Sequence, residues 1–102
     1  MLPTIDHTAP AIPGSGAAVN HTPLGLSCSP REEKVALYFC DKNRALNRML
    51  KVNGAWGNVV QVGNANPVAE ESQLTVVTTE KTNHIFYVTG TKGEIYHARD
   101  QV

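Results

Sequence analysis

Net charge is what this chain most plainly lacks: nine lysines and arginines are balanced by nine aspartates and glutamates. With no overall field, recruitment of nucleic acid or of an anionic membrane surface is not expected. Long apolar runs are missing as well. The longest, residues 35–40, falls far short of the roughly 20 residues a membrane span needs. Cysteine is nearly absent. Cys28 and Cys40 stand at no metal-binding or redox spacing, so two buried free thiols are expected. The amino terminus has neither a basic start nor a continuous apolar run, which makes the cytosol the expected location and leaves the Asn20-His21-Thr22 triplet unmodified.

Catalytic signatures are equally scarce. Ser27 and Ser29 have no nucleophile-elbow surroundings, and the adjacent pair Glu70-Glu71 would point to opposite faces of a strand. Gly14-Ser-Gly16 lacks the lysine, preceding strand and following helix of a phosphate loop. His84 and His97 fall on neighbouring expected strands, but no Cys, Asp or Glu completes a set around them, so neither a metal nor another cofactor is expected.

What is present is short β-rich runs broken by turn residues every 8–12 positions or so, from Pro23 onward. Residues 1–22, with Pro3, Pro10, Pro13, Gly14 and Gly16, read as an extended lead-in. Strands are expected at 24–28, 34–40, 45–51, 56–62, 73–79, 84–89 and 94–99. Residues 43–50 are the one stretch that also reads as helical. Val35-Ala-Leu-Tyr-Phe-Cys40 is apolar at every position, which calls for cover on both faces of that strand.

The runs repeat. Leu46 falls on Ile95, 49 residues on, and the same displacement lays Leu37-Tyr38-Phe39 over Phe86-Tyr87-Val88. With one residue of slippage, Pro23-Leu-Gly-Leu-Ser-Cys28 falls on Gln73-Leu-Thr-Val-Val-Thr78. A period of about 40–50 residues with four strands is that of a propeller blade. The expected fold is therefore all-β, with two four-stranded antiparallel blade-like units, residues 23–71 and an incomplete 72–102, that form part of a β-propeller or assemble into one. Such units need neighbours to bury their faces, so a homo-oligomer is expected of an intact chain, and a truncated non-functional fragment is the other outcome.

Several of these residues carry a family resemblance. Ile12-Pro-Gly-Ser-Gly16, Val35-Ala-Leu-Tyr38, Asp41-Lys-Asn43 with Leu46, and Asn53-Gly-Ala-Trp56 recur in part as Ser72-Gln-Leu74, His84-Ile-Phe-Tyr87 and Gly93-Glu-Ile95. In order and spacing they resemble the fungal fucose-specific lectins, six-bladed propellers, and the two-blade bacterial lectins that trimerise into the same ring. The resemblance implies a sugar site between blades, with an arginine on the central strand, a glutamate on the next and an aromatic from the following segment. Carried over, the arginine falls on Ala36 and Ile85 and the glutamate on Arg48 and His97. Trp56 retains the aromatic.

The candidate ligand residues are thus Trp56, Arg48, His97 and Tyr96. Trp56 could stack on a sugar or wedge between blades. Tyr38 and Tyr87, repeated at the blade spacing, read as core fillers. The leading expectation is a non-catalytic module binding a carbohydrate or another small ligand between blades. The enzyme alternative, also implied by resemblance, is a lectin-fold hetero-Diels-Alderase of fungal secondary metabolism. It would join a tropolone-derived quinone methide to a sesquiterpene by proximity, with Tyr96, Arg48 or His97 donating to the developing oxyanion.

Overall fold

The computed structural model describes residues 10–62, 67–89 and 93–102; residues 1–9 of the lead-in lie outside them. The fold is all-β. Its strands are β1 (Gly25–Ser29), β2 (Lys34–Cys40), β3 (Leu46–Val52), β4 (Ala55–Trp56), β5 (Val60–Gln61), β6 (Thr75–Thr79), β7 (Thr82–Val88) and β8 (Ile95–Gln101). They form two antiparallel sheets, β1-β2-β3-β4 with β5 also on β3, and β6-β7-β8. The sheets therefore hold five and three strands rather than four each. The run expected at 56–62 is split into β4 and β5, where Gly57 N–H turns back to Leu50 O at 2.8 Å.

The helical reading of 43–50 gives way to strand β3. Asp41 Oδ1 accepts from the backbone of Asn43 and Ala45 at 2.8 and 3.0 Å, and Arg44 adopts a left-handed φ of 64°. Side-chain capture of the backbone favours a turn over a helix, so the chain reverses and pairs with β2.

The two sheets are repeats whose displacement changes along the chain. All seven Cα pairs of β2 with β3, from Lys34↔Val52 to Cys40↔Leu46, have counterparts from Thr82↔Gln101 to Val88↔Ile95. Gly25 corresponds to Thr75, 50 residues on; Lys34 to Thr82, 48 on; Leu46 to Ile95, 49 on. The shift follows from loop length, since the first hairpin connection is 30–33 against 80–81 and the second is 41–45 against 89–94.

Backbone partners confirm this matching. Cys40 N–H donates to Thr22 Oγ1 and its carbonyl accepts from Val19; Val88 N–H donates to Ser72 Oγ and its carbonyl accepts from Ala69. The next residues, Asp41 and Thr89, turn the other way, toward Ala45 and Glu94. Tyr38 therefore corresponds to Phe86, and Tyr87 to Phe39. The uniform displacement of 49 is one residue out on the central strand, and one residue is enough to reverse the face of every side chain.

With faces so matched, call the Tyr38 side of the first sheet its front and the Phe86 side of the second its front. The front of the first sheet lies on the back of the second. Ala36, Tyr38 and Cys40 meet Ile85, Tyr87 and Ala98 in one buried cluster. On the back of the first sheet Phe39 and Met49 are also buried, and a Cβ on Gly14 would stand 3.5 Å from Met49 Cε. Part of the lead-in thus lies on that back face; Ala18 bridges Asp41, and Ser15–Ala17 form a 3-10 turn. Cys40 is buried but Cys28, on edge strand β1, is exposed, so only one of the two thiols is enclosed. Among the described residues no helix is long and apolar enough to cross a membrane.

Candidate functional site

Stacking one sheet's front on the other's back brings a polar chain into the layer between them. Arg48 Nη1 donates to both Asp100 oxygens at 2.7 and 2.8 Å. Tyr38 OH donates to Asp100 Oδ2 at 2.7 Å and accepts from Asn83 Nδ2 at 2.9 Å. Ser27 and Thr78 hydroxyls both reach Asn83 Oδ1, at 2.9 and 2.6 Å. Asn83 is fully enclosed. Burial first, and then the hydrogen bond to the Asp100 carboxylate, push the Tyr38 phenol well above its ordinary value of 10.0. The Arg48 guanidinium is committed to Asp100, with Nε buried and without a partner among the described residues. It clasps the sheets together rather than presenting a ligand clamp.

The four residues singled out from sequence do not converge. Arg48 and Tyr96 share the layer between the sheets, where the Tyr96 ring lies tilted against Tyr87 with centroids 6.2 Å apart. Trp56 pairs with Lys51 on the back of the first sheet, the Lys51 Nζ 5.6 Å from its ring centroid. His97 stands on the front of the second sheet, exposed. Trp56 and Arg48 therefore lie on opposite faces of one sheet.

His97 lies beside His84, which the sequence placed on the neighbouring strand but not among the ligand candidates. His84 Nδ1 is 2.8 Å from His97 Nε2, and His84 Nε2 is 2.7 Å from Thr79 Oγ1. Phe86 stacks on His97, with centroids 4.6 Å apart and planes at 10°. Partial desolvation, followed by electrostatic repulsion from Arg99, holds the His97 imidazole below its ordinary 6.5. The same front keeps Val77, Phe86 and Ile95 at 48, 37 and 76% exposure. A depression of about 350 Å³ opens beside them, with Thr75, Phe86, Val88 and Ile95 in its lining.

This register corrects the alignment of the two repeats. Because Lys34 corresponds to Thr82, the position matching Ala36 is His84, not Ile85. The counterparts of Ala36 and Arg48 in the second unit are thus His84 and His97, which are hydrogen-bonded to each other. The signal available in sequence was the unequal hairpin spacing.

A second concavity, about 490 Å³, lies at the junction of the two units. Asn20, His21, Lys42, Arg44, Glu70 and Glu71 contribute to its lining. Arg44 is held there by its Nε–H donating to Val68 O at 2.8 Å.

Together these features define an all-β chain of two repeated sheets stacked front to back, with one histidine-bearing front open to solvent. No family model matches the chain, and no curated protein or solved structure matches it.

Proposed function

We propose that the chain is a non-catalytic, lectin-like repeat module of the propeller kind, which holds a small neutral sugar or similar polyol against the front of a sheet. The observation that carries this reading is the open front of the second sheet. Its counterpart on the first sheet is buried by the next unit, whereas Val77, Phe86 and Ile95 remain exposed. A further unit, supplied by a second copy of the chain, would cover that front and enclose what lies on it.

The positions equivalent to the sugar clamp of the fungal fucose lectins support the ligand class. If the resemblance holds for the first unit, where arginine and glutamate fall on Ala36 and Arg48, the repeat carries those roles to His84 and His97, and imidazoles both donate to and accept from hydroxyls. The exposed Phe86 ring offers an apolar surface for a pyranose face. Neutral imidazoles make weaker bonds than charged groups do, so the affinity expected is lower than that of an intact arginine–glutamate clamp.

The test is calorimetric titration of the purified chain with L-fucose and a panel of neutral monosaccharides. Saturable binding lost in His97→Ala and His84→Ala, but kept in Trp56→Ala, supports this site. Silence across the panel, or binding that depends on Trp56 alone, refutes it.

A further inference from the structure

The pair His84 and His97 offers more than hydrogen bonds to a polyol. Their facing nitrogens, His84 Nδ1 and His97 Nε2, are 2.8 Å apart on an exposed face. Two imidazole nitrogens bound to one metal at about 2.0–2.1 Å and at right angles lie roughly 2.9 Å from each other. The rings are thus already at the spacing of a cis chelate. We propose that His84 and His97 form a two-histidine site for a late first-row divalent metal ion, copper(II) in preference to zinc, with water in the remaining positions.

The His84 ring is held by a hydrogen bond at its far nitrogen, as metal-binding histidines commonly are. When His84 Nε2–H donates to Thr79 Oγ1, 2.7 Å away, the lone pair sits on Nδ1, and a side-chain rotation turns it from His97 Nε2 onto a metal shared by the two nitrogens. Phe86 stacks on His97 and fixes its plane. The two residues are diagonal neighbours across β7 and β8, because His84 pairs with Arg99 and His97 with Phe86. This register holds both rings on one face with no backbone change needed.

Proton accounting is simple. In the neutral pair, the hydrogen between the two nitrogens sits on His97 Nε2; on metal binding it moves to His97 Nδ1, and no net proton is released. In the singly protonated pair one proton leaves. Binding therefore strengthens as pH rises through the imidazole range. Imidazole donors favour copper(II) at the head of the divalent series.

This site does not depend on the sugar-binding reading, since a metal needs only the two rings and solvent. The experiment is copper(II) titration of the full chain above the imidazole range, followed by electron paramagnetic resonance. The expected result is one saturable equivalent whose spectrum carries coupling to two imidazole nitrogens. His84→Gln and His97→Gln should each weaken it by at least about tenfold, with far-UV circular dichroism unchanged, while His21→Gln leaves it intact. Copper binding that persists in the double variant His84→Gln/His97→Gln, or a wild-type chain that shows no such equivalent, overturns the proposal.

Discussion

At Asp100 one carboxylate satisfies both a guanidinium and a phenol from the opposite sheet. The two charged side chains are only 16 and 12% exposed, so removing one partner strands the other in poorly hydrated surroundings. Asp100→Ala should cost about 3 kcal/mol in urea denaturation, whereas Arg48→Met/Asp100→Leu together should come within about 1 kcal/mol of wild type. A comparable loss in both variants would show that shape, not charge, dominates here. Tyr38 makes a second prediction. Its folded-state value is raised above the ordinary 10.0, so above that pH the unfolded chain loses a proton that the folded chain keeps, and stability falls as pH climbs. Burial raises Cys40 and Tyr87 in the same direction. Alkaline denaturation should therefore begin near the ordinary phenol range, and Tyr38→Phe should flatten the stability profile there. An unchanged profile would assign the transition to other groups.

Among the elements, edge strand β1 shows how closely one unit approaches the next. A Cβ on Gly25 would stand 2.7 Å from Val76 Cγ2 and 3.3 Å from Leu74 Cβ, both of the second unit. The equivalent Thr75 lies on the uncovered front of the second sheet and is exposed, which explains why a side chain is tolerated there. Gly25→Ala should lower stability by about 1–3 kcal/mol through overpacking. Gly16→Ala, with nothing within 4 Å of its Cβ, should change it by no more than about 0.5 kcal/mol. Thermal melts of the two variants side by side check the contrast. Most strands were legible at this scale: 34–40 matches β2 to the residue, and β1, β3, β6, β7 and β8 lie within a few residues of their expected bounds. Apolar runs between turn formers carry that information locally. The split between β4 and β5 was not legible, because Gly57-Asn58 interrupts a run whose residues otherwise suit a strand.

For the whole molecule, front-to-back stacking is directional, and a heterologous contact of this sort leaves each end competent to continue. The open front of the second sheet, bearing Ile95 and Phe86, is the end from which growth is expected. Light scattering should show a mass above that of the monomer, rising with concentration, and Ile95→Lys should return it to the monomer by placing a charge in the contact. A monomeric wild type across that range would mean that the front meets solvent or a different partner. The candidate site on this face was only half legible in sequence. His84 and His97 were legible as neighbours on adjacent strands, but only His97 was picked out as a ligand residue, because two loops of compensating length hide a slip on the central strand. Trp56, the most conspicuous aromatic, stands on the other face of the first sheet, where its register with Lys51 puts it.

The sequence by itself determined the β character, the two-fold repetition and nearly all strand positions, since alternation, turn residues and apolar runs act over a few neighbouring positions. Tertiary structure alone decided which face each residue joined. That depends on hydrogen-bond register, and changes of two residues in one loop and one in another alter it without disturbing any local pattern. The Arg48–Asp100–Tyr38–Asn83 clasp and the His84–His97 pair are both products of that register.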